Sequence, residues 1–120
     1  MKKILVIDDE PTIRIFLNEI LEVWGYECIE ASRAQEGIDL IKKGGIDLLL
    51  LDIQLPQMNG LEAVQKIREI EKEMPILIIS AFHNMKNVVE MLEVETQGFI
   101  NKPFDIEKLK AKIEKELEGE

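Results

Sequence analysis

Short apolar runs that end on polar residues recur along this 120-residue chain and restrict the folds open to it. The clearest is the run Leu48-Leu49-Leu50-Leu51, which is followed at once by Asp52. Such short apolar runs are typical of strands that are buried on both faces of a parallel sheet. A carboxylate at the end of a buried strand costs free energy unless another group pairs with it. The rest of the chain therefore has to supply a partner for Asp52.

Segments with helical spacing of their apolar residues alternate with these runs. Between Ile13 and Trp24, for example, apolar side chains recur every three or four residues, with Pro11 near the first turn and Gly25 beyond the end. The same reading along the chain predicts strands over 4–7, 26–31, 46–51, 75–80 and 98–101, and helices over 11–24, 32–43, 59–71, 84–94 and 105–117.

Two helix starts carry capping signals. Ser32 and Gln35 have the spacing of a capping box, which predicts that the second helix begins there and that Gly44-Gly45 ends it. Asp105 precedes the last apolar helical pattern and is predicted to cap that helix.

Five successive strand–helix units predict an α/β fold of the doubly wound type, with a parallel sheet and helices on both faces. The length suits one domain, so residues 1–120 are expected to share a single fold. The alternation does not by itself fix the order of the strands in the sheet.

Composition excludes several classes of function. The formal charge of −9 repels a phosphate backbone, so we expect no direct binding of nucleic acid. The single cysteine, Cys28, excludes an internal disulfide and a cysteine-based zinc cluster. The apolar run after Lys2-Lys3 is too short for a signal peptide, and no segment is long enough to span a bilayer. We therefore expect a cytoplasmic protein that does not bind membranes.

Polar residues stand at the ends of four predicted strands: Asp8 and Asp9, Asp52, Ser80 and Lys102. Taken one at a time, each could be a turn residue, a helix cap or a solvated side chain. If the strand order is 2-1-3-4-5, however, they meet at one edge of the sheet, where ligands of such folds bind.

Three carboxylates at one edge would repel one another unless they share a cation. Oxygen ligands favour Mg²⁺, with Mn²⁺ as the alternative. An aspartate beside such a cation, a lysine and a hydroxyl is suited to accept a phosphoryl group as an aspartyl-phosphate.

The motifs and their spacing resemble the receiver domain of bacterial response regulators over essentially the whole chain. The residues that carry the resemblance are Asp8-Asp9-Glu10, Leu51-Asp52 with Pro56, Met58 and Gly60, Ser80-Ala81, and Lys102-Pro103-Phe104. The resemblance implies a flavodoxin-like fold with a five-stranded parallel sheet in the order 2-1-3-4-5.

The resemblance also implies a role for each site residue. Asp52 would accept a phosphoryl group from a phosphohistidine of a sensor histidine kinase or of a histidine phosphotransferase. Asp9, Asp52 and the backbone carbonyl of Gln54 would bind Mg²⁺ directly, and Asp8 would act through a bound water. Lys102, preceding a cis proline bond, would pair with a phosphate oxygen, and Ser80 would hydrogen-bond another.

In the same family Phe99 occupies a rotameric switch position, and the surface formed by the fourth helix, the fifth strand and the last helix changes on phosphorylation. The function implied is therefore signal transduction in a two-component or phosphorelay system, in a protein that is not an enzyme beyond its own phosphorylation and dephosphorylation. IRIFLNEI at 13–20 with KPFDI at 102–106 resembles single-domain phosphorelay receivers of the sporulation type.

Two alternatives remain open from the sequence. The chain could be the receiver of a longer DNA-binding transcription regulator, although its charged helical end favours a protein with no output domain. It could also be a small Mg²⁺-dependent phosphohydrolase. Those enzymes commonly carry a second acid two positions after the nucleophile, where this chain has Gln54, and they need a cap for which 120 residues leave no room.

Overall fold

A computed structural model describes residues 1–55, 58, 60–81 and 96–118 as one parallel sheet covered by helices on both faces. The strands are β1 (Lys3–Ile7), β2 (Glu27–Ala31), β3 (Leu48–Asp52), β4 (Ile76–Ser80) and β5 (Gly98–Asn101). The described helices are α1 (Pro11–Val23), α2 (Ala34–Lys42), α3 (Gly60–Ile70) and α4 (Ile106–Glu118). The helix predicted over 84–94 lies outside the described residues. No helix in the described ranges has the length and apolarity needed to cross a bilayer.

The strand order is β2-β1-β3-β4-β5, which confirms the order that the family resemblance implied. All four strand pairs are parallel. In the register, Ile7 lies opposite Leu51, and Ser80 lies opposite Asn101. The carboxyl ends of β1, β3, β4 and β5 are therefore neighbours, as the predicted convergence of polar residues requires.

Side chains of the central strands alternate between two cores because successive residues of a strand point to opposite faces of the sheet. Odd-numbered residues of β1 and β3, such as Leu5 and Leu51, pack with α2 and α3. Even-numbered residues, such as Val6 and Leu50, pack with α1 and α4. All five residues of β3 are buried. The leucine run is thus the central strand, and it has no exposed face that would tolerate a polar residue before Asp52.

Most of the predicted helix boundaries hold. Pro11 is the first residue of α1, and Gly25 and Gly44 follow α1 and α2 with φ of 92° and 83°. Asp105 caps α4 as predicted, since its Oδ1 accepts the N–H of Lys108 at 3.2 Å.

The capping box predicted at Ser32 and Gln35 is wrong. Helix α2 begins at Ala34, and its N-cap is Arg33, which makes no side-chain capping bond. Instead, Glu36 in the first turn reaches back, and its Oε1 accepts the N–H of Ser32 at 2.9 Å. A capping box would have two side-chain-to-backbone bonds between Ser32 and Gln35. The structure has the single bond from the Ser32 N–H to Glu36 instead, because the helix starts later than the Ser–Gln spacing indicated.

Candidate functional site

Asp52 is the last residue of β3 and is 2 % exposed. Its Oδ1 accepts the backbone N–H of Gln54 at 2.9 Å. The next residue, Ile53, continues the sheet pairing by donating its N–H to the carbonyl of Ile79 at 3.2 Å. The strand and the first residues after it therefore hold the carboxylate in place from two directions.

Asp8 lies directly after β1 and is fully buried. Its N–H donates to the carbonyl of Ala31 at 3.1 Å, and its Oδ1 accepts the N–H of Glu10 at 2.9 Å. Arg14 of α1 donates from Nη1 to the Asp8 carbonyl at 2.7 Å and pairs through Nε with Glu30 at 3.4 Å. This anchoring fixes the turn from β1 into α1, and the sequence analysis missed it.

Lys102 follows β5 and reaches back across the sheet edge. Its N–H donates to the carbonyl of Ser80 at 2.8 Å, and the Lys102–Pro103 peptide bond is cis, as the resemblance implied. Its Nζ lies 2.9 Å from Asp8 Oδ2 and 3.2 Å from Asp52 Oδ2. A third carboxylate oxygen, Oε1 of Glu10, lies 3.3 Å away. Lys102 is therefore a partner that the Asp52 carboxylate needs in order to be buried.

One ammonium does not fully compensate this group of acids. The pKa of Asp52 is raised to about 6, first by burial and then by the nearby Asp8 charge, while the Gln54 N–H and Lys102 partly oppose the rise. Burial lowers the pKa of Lys102, but its contacts with Asp8 and Asp52 outweigh that effect and raise it above the ordinary range. The site thus holds a firmly charged lysine and favours additional positive charge.

The donor atoms fit a small hard cation. Ligand oxygens of Asp8, Glu10 and Asp52 all lie within 4.8 Å of one another. Oxygens around Mg²⁺ are separated by about 3 to 4.2 Å, given a metal–oxygen distance of about 2.1 Å. Asp8 Oδ2 is buried and lacks a hydrogen bond of acceptable geometry, although Lys102 Nζ is close to it. A buried oxygen of this kind is available to coordinate a cation.

The structure brings together four of the seven predicted site residues and places the others nearby or apart. Asp8, Asp52 and Lys102 are in direct contact, and Ser80 is buried at the neighbouring strand end. Asp9 is exposed and does not belong to the group of close ligand atoms, in which Glu10 stands instead. The roles predicted for these residues toward a metal or a phosphoryl group stay predictions.

Two further predicted residues lie at the margins of the site. Gln54 has an exposed side chain, and its predicted contribution is its backbone carbonyl. Phe99 on β5 is partly buried and packs against the core between the sheet and helices α2 and α3. The loop between β3 and α3 is held close by Gly60, whose N–H donates to the Ile53 carbonyl at 2.9 Å. Pro56, one of the residues that carry the family resemblance, lies outside the described residues.

The domain is a doubly wound α/β fold with an aspartate-rich pocket and a lysine at the carboxyl edge of its sheet. These features are those of ligand-binding domains whose site lies where the strand order reverses. The family model described as the response regulator receiver domain matches residues 4–114. This chain belongs to that family, and its function is that of a receiver in two-component or phosphorelay signalling.

The relatives include both short and long proteins. Sporulation initiation phosphotransferase F of Bacillus subtilis is 32% identical over 97% of this chain and 94% of its own length. The phosphate regulon transcriptional regulatory protein PhoB of Pseudomonas aeruginosa is 36% identical, and the match covers 93% of this chain but 50% of that protein. The chain thus spans about half the length of PhoB.

Solved structures share the fold closely. The response regulator TrrA of Thermotoga maritima in complex with Mg²⁺-BeF has a TM-score of 0.89 at 35% identity, covering 98% of this chain and 100% of that one. A CheY-like receiver domain protein of Methanospirillum hungatei has a TM-score of 0.92 at 32% identity, covering 99% and 95% of the two chains.

Proposed function

We propose that Asp52 is the phosphoryl acceptor of this receiver and that its donor is a phosphohistidine on a histidine kinase or a histidine phosphotransferase. The observation that carries the proposal is the placement of its carboxylate, which is buried at the end of the central strand yet lies 3.2 Å from Lys102 Nζ. In the reaction a carboxylate oxygen forms a bond to phosphorus, the phosphorus–nitrogen bond of the donor breaks, and the imidazole leaves with the electron pair.

Lys102 and Ser80 are the residues that would bind the phosphoryl oxygens once the group is attached to Asp52. Lys102 already contacts Asp52 Oδ2, so an added phosphoryl oxygen would stay within reach of the same ammonium. Ser80 lies at the end of the next strand, and its hydroxyl would hydrogen-bond another phosphoryl oxygen. The lysine therefore serves first to neutralise the free carboxylate and then to neutralise part of the charge that replaces it.

Mg²⁺ is the cofactor that the donor set favours, with Mn²⁺ as the alternative. Asp9, Asp52 and the Gln54 carbonyl would hold it, with Asp8 acting through water. When bound, it would neutralise charge on the transferring phosphoryl group. The relative TrrA, solved with Mg²⁺-BeF, supports this assignment.

Signal output would follow from a change at Phe99. Its ring is not fully buried, and it borders a cleft of about 480 Å³ that Asn101, Pro103, Asp105 and Lys112 also line. If Ser80 moves toward a phosphoryl group, the space beside β5 changes and the ring can turn inward. The surface around β5 and α4 would then present a different shape to a downstream partner. Because Phe99 has no hydroxyl, only packing would change.

The experiment that tests the acceptor is transfer of labelled phosphate from a phosphorylated histidine phosphotransferase in Mg²⁺ buffer. Asp52→Ala is expected to abolish the acid-labile label. Asp39→Asn is the matched control, because Asp39 lies on the exposed face of α2 and its only described partner is Gln35. Stoichiometric acid-labile label on the Asp52→Ala protein would overturn the assignment.

We further propose that the protein acts as a signalling module rather than as an enzyme on external substrates, within the cytoplasm and as one domain over residues 1–120. Multiple turnover of small phosphate esters would instead favour the phosphohydrolase alternative. The alternative of a longer DNA-binding regulator draws support from PhoB, of which this chain matches half. The length of the gene product decides whether the receiver stands alone or belongs to a longer DNA-binding regulator.

A further inference from the structure

We propose that Glu10 supplies a further carboxylate to the divalent-cation site, in addition to the residues that the family resemblance assigns. Among the described residues, the acids whose ligand oxygens lie within 4.8 Å of one another are Asp8, Glu10 and Asp52. This inference rests on the cation site of the proposed function. It does not depend on which residue is phosphorylated.

The balance of charge at the site is the first argument. Three carboxylates contact the single ammonium of Lys102, at 2.9, 3.2 and 3.3 Å. One positive charge against three negative ones leaves the group anionic, and an anionic group binds a divalent cation more tightly with each carboxylate that can reach it. Glu10 is the outermost of the three, so it faces the side from which a cation enters.

A buried oxygen without a hydrogen bond of acceptable geometry points the same way. Asp8 Oδ2 is inaccessible to solvent, its close neighbour is the Lys102 ammonium at ion-pair distance, and it belongs to the same group as the Glu10 carboxylate. Its other oxygen is already used, because Oδ1 accepts the Glu10 N–H at 2.9 Å. The residue whose N–H fixes Asp8 is therefore also the residue whose carboxylate lies in the same group as Asp8 Oδ2.

Glu10 is free to move toward a cation at little cost. Its side chain is 55% exposed, and it is the N-cap residue of α1 without making a side-chain capping bond. If the carboxylate leaves Lys102, the ammonium keeps Asp8 and Asp52 as partners. No buried group is stranded by the movement. Glu10→Gln is accordingly expected to fold as the unaltered chain does.

The test measures the dissociation constant for Mg²⁺. Binding is monitored through the NMR chemical shifts of the backbone N–H groups of residues 10 and 54, which donate to Asp8 and Asp52. Glu10→Gln is expected to raise the dissociation constant for Mg²⁺ about fivefold, the loss expected for one carboxylate contact in a site open to water. Glu19→Gln is the matched control, because it removes the same charge from an exposed position on the same helix, about 14 Å further along its axis. The control should leave the dissociation constant unchanged.

The salt dependence of Mg²⁺ binding distinguishes a carboxylate that contacts the cation from one that acts only through its long-range field. In about 1 M KCl, where the Debye length is about 3 Å, a long-range field is screened. Under these conditions we expect the dissociation constant of Glu10→Gln for Mg²⁺ to remain about threefold or more above that of the unaltered chain. A ratio that falls to one in high salt, or an unchanged dissociation constant at low salt, would overturn the proposal. Either result, in protein that still takes label at Asp52, would leave the proposed function intact.

Discussion

Replacing Asp52 with asparagine is expected to stabilise the metal-free protein at neutral pH, although it removes the group that we propose is phosphorylated. Burial raises the pKa of this carboxyl from its ordinary 3.8 to about 6, so the fold favours its neutral form. Asparagine keeps nearly the same shape and is neutral at every pH. The cost that burial imposes on the charged carboxylate therefore disappears in the variant.

The magnitude and its pH window follow from the pKa. The difference between 3.8 and about 6 corresponds to at most about 3 kcal/mol, at about 1.4 kcal/mol per pKa unit. Because one side of the site is open to water, which screens the charge, we expect about 1 to 2 kcal/mol. A raised carboxyl pKa contributes stability that is fully present below pH 4 and is lost as pH rises through 6. The advantage of Asp52→Asn should thus be near zero at pH 4 and reach its full size above pH 7.

Urea denaturation in EDTA, repeated across this pH range, measures the effect. Asp39→Asn, on the exposed face of α2, is the control and should show no such pH dependence. Added Mg²⁺ should stabilise the unaltered chain more than the variant, because the cation compensates the charge at position 52. An Asp52→Asn protein that is less stable than the unaltered chain at pH 8, or a difference that does not vary with pH, would refute the reasoning.

Substitutions at three further positions test how the site and the sheet beside it are held, each by urea denaturation. Gly60→Ala should lower the free energy of unfolding by about 2 to 4 kcal/mol, because a Cβ there would collide with the backbone of Ile53; a loss below about 0.5 kcal/mol would contradict the close approach. Gln97→Ala should cost about 1 to 2 kcal/mol, because Oε1 of Gln97 accepts the Ile76 N–H at 2.6 Å, and Gln97→Glu, which keeps an acceptor oxygen, should recover part of that loss. Lys102→Met should cost about 2 kcal/mol in EDTA by leaving buried carboxylates without their ammonium, and Mg²⁺ should restore part of it; an equal loss with and without Mg²⁺ would count against a shared cation site.

The sequence predicted the strands and the convergence of their ends because these depend on coarse, repeated signals. A run such as Leu48–Leu51 is typical of a strand that is buried on both faces, and the alternation with helices leaves few topologies. Once the strand order is fixed, the positions of Asp8, Asp52 and Lys102 follow from the register. Those residues were found without any information about side-chain contacts.

Details that depend on a shift of one residue, or on the direction of a side chain, could not be predicted in this way. Whether Asp8, Asp9 or Glu10 faces the pocket depends on how the chain turns from β1 into α1, where Arg14 fixes the Asp8 carbonyl. A run of three acids carries no signal that separates them. The start of α2 was misplaced for a similar reason, since Glu36 satisfies the Ser32 N–H without a capping box.

Contacts between elements far apart in the sequence were missed altogether. Arg68 at the end of α3 donates to the Met74 carbonyl at 2.7 Å and to Gln97 Oε1 at 3.2 Å, which ties α3 to the start of β5. Neither side chain belongs to a motif, and a glutamine before a strand is unremarkable in a sequence. Only the packed structure shows that its side chain extends the pairing of β4 and β5.

The most direct test of the central claim is to locate the phosphoryl group by mass spectrometry. The unaltered chain is phosphorylated by a small phosphoryl donor in Mg²⁺, treated with borohydride, which converts an aspartyl-phosphate to homoserine, and then digested. We expect homoserine at position 52 and unmodified aspartate at positions 8 and 9. Homoserine at another position, or a stable phosphate ester on Ser80 with Asp52 unmodified, would contradict it.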